Sequence, residues 1–294
     1  MTSHRTLARQ ALLQALTTRK KVGLAPTAPL CPFDLAEKLK IEVRFVDIPS
    51  MEGMYVKRTP PLILVAADRP AGRQVFTCAH ELGHHEFGHG TRADTLDLFS
   101  SPSRRSDPDE YLANTFAGFL LMPKTAVMRG FSSRGWTPAK ATPEQIYVVA
   151  GWLGVSYEAL VTHLCYSLQA LSDLQKETLL RTSPQRIRQS LTGQRLDTPL
   201  HIVDLVWSDR PADLRVGDFV LAPHNTNSPP SLLEVVADLP SGRLLRAKAP
   251  GIGSLETADG SWHVYVRVMK TKFAGRSIFR HLEDPDYGCS VQDN

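Results

Sequence analysis

The chain is short of cysteine, of long apolar runs and of net charge. Its 4 cysteines, Cys31, Cys78, Cys165 and Cys289, are widely scattered. They show no disulfide framework and no Cys-x-x-Cys metal spacing, which argues against a cysteine-stapled secreted module and points to the cytosol. No apolar stretch approaches the roughly 20 residues that a membrane-spanning helix needs. The first 33 residues carry Arg5, Arg9, Arg19, Lys20 and Lys21 and no acid. Even so, Ala11-Leu12-Leu13 is broken at once by Gln14. Leu7, Ala8, Ala11, Leu12, Ala15 and Leu16 recur at helical spacing, so a packed helix is expected there rather than a signal peptide. The net charge of +4 over 294 residues is too mild to imply nucleic acid. A second basic stretch, Arg181, Arg186, Arg188 and Arg195, reads as a solvated face. There is no internal repeat. What remains is an ordinary globular composition, 42% hydrophobic and 22% charged, long enough for about two domains.

Against that background one segment stands out. Residues His80-Glu81-Leu82-Gly83-His84 spell His-Glu-x-x-His within a helical pattern. Residues four apart share a helical face, so His80 and His84 can present two imidazoles to one metal ion. Glu81 sits one step around, beside any water on that ion. The pattern is a zinc metalloprotease signature: neutral imidazoles leave Zn²⁺ cationic, water near it becomes acidic, and a carboxylate can take the proton. Val75, Phe76, Ala79, Leu82, Gly83 and Phe87 form the apolar stripe of the same helix. Gly83 costs that helix about 1 kcal/mol relative to Ala, which makes sense if a second backbone approaches beside the metal.

A catalytic zinc needs a third protein ligand. The nearby candidates are His85, Glu86, His89, Asp94, Asp97, Asp107, Asp109 and Glu110. Phe87 and Gly90 stand where the extended metzincin pattern needs Gly and His, so that class is excluded. His85 and His89 are read as solvated helix-end residues, suited to the negative end of the dipole. Glu110 is the preferred ligand. Asp107-Pro108 starts a helix with Asp107 as N-cap, and Glu110 with Asn114 is expected on the face of Ala117 and Leu121. Glu110 also falls where a capping-box glutamate belongs, and both roles stay open on these grounds.

The stretch Arg73-Gln74-Val75-Phe76-Thr77-Cys78-Ala79-His80-Glu81-Leu82-Gly83-His84 resembles the core of the ImmA/IrrE metallopeptidases. So does Glu110-x-x-Ala113-Asn114-x-Phe116-Ala117 followed by Leu120-Leu121-Met122-Pro123. The resemblance extends over residues 30–125, and more loosely over 140–170; Ile41 departs from the family's usual glycine. It implies a zincin-like fold, His80, His84 and Glu110 as zinc ligands, and Glu81 as general base. It also implies cleavage of a helix-turn-helix repressor, with a role in induction or stress response.

Helices are expected over residues 1–24, 32–39 and 70–87, and strands over 41–45 and 62–65. The segment Met54 to Val65 is the candidate edge strand for an extended peptide, and Phe99 to Ser106 a mobile loop. Residues 141–171 read as helix-turn-helix-like, with Gly154 at the turn and Ser156 as cap. The second helix is poor in positive charge, so packing is preferred to DNA reading. Short strands from residue 196 on, with turns between them, suggest a small barrel or curved sheet. The expected organisation is therefore α+β: a zincin-like metallopeptidase domain (1–130), a helical extension (131–195) and a β-rich accessory domain (196–294). The expected function is that of a cytosolic zinc endopeptidase acting on a protein substrate, without membrane or direct nucleic-acid binding. A non-cleaving repressor-binding module and a DNA-binding regulator acting through residues 141–171 are the alternatives.

Overall fold

The computed structural model describes residues 3–95 and 107–282; Asp97, the expected loop 99–106 and Cys289 lie outside them. The fold is mixed α+β, and the chain forms two compact units. The first joins residues 1–126 to 272–294, and the second is 127–271. The boundaries expected at 130 and 195 do not coincide with these units.

In the first unit, α1 (His4–Lys21) and α2 (Pro32–Lys38) precede β1 (Glu42–Val46), β2 (Met51–Val56) and β3 (Leu62–Ala66). The metal-motif helix α3 (Ala71–Glu86), the strand β4 (Arg92–Thr95) and α4 (Pro108–Leu121) follow. β1 and β3 run parallel, β2 pairs antiparallel with β3, and β4 pairs antiparallel with β2. The sheet is closed on its other side by Gly275–Arg276, late in the chain, which pairs antiparallel with β1. The segment Met54 to Val65, expected at an edge, therefore lies inside the sheet. β2 has β3 on one side and β4 on the other.

α3 packs on β2, β3 and α4, and α1 packs on α4. Arg19 of α1 is buried in this unit and donates to the carbonyls of Leu120, Ala25 and Ala28. It thereby satisfies a carbonyl in the last turn of α4 that has no intrahelical partner. Gln14, Thr18 and Lys21 of α1 all reach the Glu86 carboxylate at the end of α3. Phe273 packs edge-on against Phe45 of β1, ring centroids 5.9 Å apart, so the late segment contributes to the core as well as to the sheet.

In the second unit, α5 (Lys124–Ser132, its first residues belonging to the first unit), α6 (Pro143–Leu153), α7 (Tyr157–Tyr166), α8 (Asp173–Leu180) and α9 (Pro184–Thr192) precede the strands. α6 has a complete Thr142/Gln145 capping box and ends on Gly154 at φ +77. Those strands are β5 (Leu200–Ile202), β6 (Ala212–Arg215), β7 (Phe219–Ala222), β8 (Thr226–Asn227), β9 (Leu233–Leu239), β10 (Gly242–Ala247), β11 (Gly251–Thr257) and β12 (His263–Met269). The Gly275–Arg276 strand of the first unit is β13. The single barrel or curved sheet expected here is instead two four-stranded sheets, β5-β7-β10-β9 and β6-β12-β11-β8. Among the described residues no single helix is long and apolar enough to cross a membrane.

Candidate metal centre

The helix α3 carries His80 and His84 one turn apart, and both side chains are buried. Their Nε2 atoms converge to 3.0 Å. Asp107 caps α4 by accepting from the Asp109 amide, which places Glu110 in the first turn, facing α3. The Glu110 carboxylate sits 3.5 Å from Nε2 of His80 through Oε2 and 3.6 Å from Nε2 of His84 through Oε1. One ligand atom from each of the three residues lies within 4.8 Å of the others, and all three residues are buried.

The two helices meet this closely because of Gly83. A Cβ there would stand 2.9 Å from the Ala113 Cα, so any side chain would push α4, and Glu110 with it, away from the histidines. This is the backbone approach that a glycine inside a helix implies. Asn114, expected on the buried face, is exposed. The inward face of α4 is instead made by Glu110, Ala113, Ala117, Leu120 and Leu121.

Glu81 is fully buried beside this group. The sheet reaches it at β2, where a Cβ on Gly53 would stand 2.6 Å from Glu81 Oε1. The β2–β4 register shifts between Met51 and Gly53. The neighbouring Glu52 is buried and held by Arg69 and Arg73, each at 2.8 Å, which pins this end of β2 to the start of α3. No sequence period marks Gly53 or Glu52, and neither was foreseen.

The other candidates are placed elsewhere. Glu86 is taken up by α1, Asp107 caps α4, and Asp94 belongs to β4. His85 and His89 are not the solvated residues expected. Nδ1 of His85 lies 3.0 Å from the Tyr55 hydroxyl, and burial lowers its pKa. Nδ1 of His89 lies 2.8 Å from Nδ1 of His84. Cys78 is fully buried, and burial pushes its thiol well above the usual range, consistent with a small apolar filler.

Two imidazoles and a carboxylate buried together suit a tetrahedrally ligated metal ion, because burying such groups is costly unless they are paired or bound to metal. Residues 36–164, which include every member of this group, match the family model of the IrrE N-terminal-like peptidase domain. The domain belongs to the ImmA/IrrE family. No curated protein matches the chain. The ImmA/IrrE domain spans the boundary between the two compact units, from α2 through α7. It identifies a peptidase-like domain whose buried His80, His84 and Glu110 could hold a metal ion.

Proposed function

We propose that this chain is a zinc-dependent endopeptidase with a zincin-like domain. The observation that carries the reading is the spacing of the three ligand atoms. Zinc bonds of about 2.0–2.2 Å in a tetrahedron set ligand atoms roughly 3.3–3.6 Å apart. Here the two Nε2 atoms are 3.0 Å apart, and the Glu110 carboxylate comes to 3.5 Å from His80 through Oε2 and to 3.6 Å from His84 through Oε1.

His80, His84 and Glu110 would hold the zinc ion, which would supply Lewis acidity toward water and toward the scissile carbonyl. Glu81 takes the proton of the attacking water and returns it to the leaving nitrogen. Gly53 and the burial around it restrict the Glu81 carboxylate to a narrow range of positions, as proton transfer over hydrogen-bond distances requires.

The substrate we propose is a helix-turn-helix transcriptional repressor, cleaved in the cytosol to release the genes it holds. The family resemblance of the two linked motifs supports this. Within the second unit, α6 and α7 meet at 100° around Gly154, which suits a helix-turn-helix-like extension. α7 exposes only Glu158, Thr162 and Tyr166. Its lack of exposed positive charge favours packing over DNA reading.

The test is zinc content together with cleavage of repressors encoded beside the gene. Wild type should carry one zinc per chain and cut. Glu81→Gln should keep both zinc and fold and lose cleavage. Full cleavage by that variant would remove Glu81 from the reaction, and a chain that takes up no zinc would overturn the reading.

A further inference from the structure

We propose that His89 is a positioning residue that fixes the ligating tautomer and ring orientation of His84. The inference rests on the zinc reading above and deepens it. It begins with how α3 stops. The His89 amide donates to the His84 carbonyl at 3.0 Å, and the Gly88 amide to the His85 carbonyl at 3.0 Å. Gly88 has φ +71. These two bonds around a left-handed glycine are a Schellman C-cap. The cap folds the chain back over the last helical turn and brings the ring of His89 behind that of His84, centroids 5.0 Å apart. Phe87 stacks on the far ring at 5.8 Å and 24°.

The placement of protons follows from the contacts. Nδ1 of His84 and Nδ1 of His89 are 2.8 Å apart, and two ring nitrogens at that distance share one proton. A neutral His84 that offers its Nε2 lone pair to a metal carries its proton on Nδ1. It therefore donates to His89, whose Nδ1 accepts. The proton of His89 is then on Nε2, which lies 3.3 Å from Oδ1 of Asp109, an acceptor. The opposite arrangement would put a proton on Nε2 of His84 and block ligation. The Asp109–His89 pair therefore favours the one tautomer of His84 that can bind metal. Asp109 precedes Glu110 on α4, so the first turn of one helix supplies a ligand directly and supports another at second hand. Metal-bound histidines commonly rely on such a partner for the outer nitrogen, and its loss costs about 10- to 100-fold in affinity.

The test uses the full chain and zinc alone, titrated by competition with a chelator. His89→Leu should fold and bind zinc about 10- to 100-fold more weakly. His89→Asn keeps an acceptor near the old Nδ1 position and should recover most of that loss. ¹⁵N NMR of wild type stripped of metal should show His84 already protonated on Nδ1. Wild-type zinc affinity in a folded His89→Leu would overturn the inference and leave the zinc reading standing. A folded His89→Asn as weak as His89→Leu would overturn the acceptor role. Should His89→Leu fail to fold, the tautomer decides, and an Nε2-protonated His84 in stripped wild type overturns the inference. Absence of zinc from the wild type would remove both readings, and loss of zinc in His80→Ala confirms that the titration reports this site.

Discussion

A Cβ on Gly53 would stand 2.6 Å from Oε1 of Glu81: strand β2 runs against the carboxylate assigned to proton transfer. The position tolerates only a hydrogen. A Cβ there would also run into the γ-methyl of Thr77, so Gly53→Ala should force the strand, Thr77 or the Glu81 side chain to move. Overpacking of this kind costs about 1–3 kcal/mol, so a modest fall in thermal stability is expected. Cleavage should fall further than stability does, because a misplaced base loses rate steeply while the ligands stay in place. Melting, zinc content and kcat measured on one preparation would separate these effects. Unchanged kcat would mean that the approach of β2 does not hold Glu81.

Glu110 separates two roles that the sequence left open. If its carboxylate binds zinc, Glu110→Ala should lose more affinity than the 10- to 100-fold expected from removing an outer partner. If it only caps α4, the cost should be about 1 kcal/mol of helix stability with zinc retained. Calorimetric zinc titration beside a thermal melt distinguishes them. The separations of 3.5 and 3.6 Å to the two histidines favour the first.

Glu86 makes stability depend on pH. Burial raises its pKa, but hydrogen bonds from Lys21, Gln14 and Thr18 outweigh burial and hold the carboxyl below its ordinary 4.5. A carboxyl depressed in the folded state contributes stability above its unfolded pKa and loses it as pH falls through the folded value. Wild type should therefore be more stable than Glu86→Gln at pH 7, by about 1–2 kcal/mol for a charge-assisted hydrogen-bonded group. The gap should close below pH 4.5. Denaturant melts of both proteins between pH 7 and 3 would show it, and a gap that stays constant would rule out the linkage.

Phe273 tests whether the late segment belongs to the core of the first unit. It is 6% exposed and packs on Phe45. Arg280, four-fifths of the way through that segment's described part, pairs with Asp34 of α2. Phe273→Ala should cost about 3–5 kcal/mol, as large-to-small core changes do. A chain ended at residue 195 would lose Phe273, Arg280 and the pairing of β13 with β1, so it should be less stable and lose zinc more readily than the full chain. Equal melting and zinc retention in the shortened chain would show that the segment is dispensable.

Much of this fold was legible because periodicity is local. The four-residue spacing of His80 and His84, the Asp107-Pro108 start of α4 and the odd Gly83 each report on structure within a few turns. What was hidden depends on chain reversal or on distant partners. A spacing of five does not share a helical face, so His89 looked solvated until the Schellman turn returned it to His84. Gly53 has no neighbour in sequence that betrays Glu81 above it. Asn114 was grouped with the buried face because it lies four residues from Glu110 and three from Ala117, yet it is exposed on α4. β13 is two residues long and carries no pattern, and β11 begins Gly-Ile-Gly, which weakens any strand signal.

The pairing of β13 with β1 also bears on synthesis. A ribosome delivers roughly 5–20 residues per second, and it finishes β1, β3, α3 and α4 long before it reaches Gly275. Throughout that interval the nascent sheet has an uncovered edge, and the ring of Phe45 lacks Phe273. The part of the chain that carries the histidines and Glu110 is thus the first to be made and among the last to be completed. The first compact unit would therefore reach full stability only after residues 127–271, which separate its two parts in sequence, have left the ribosome.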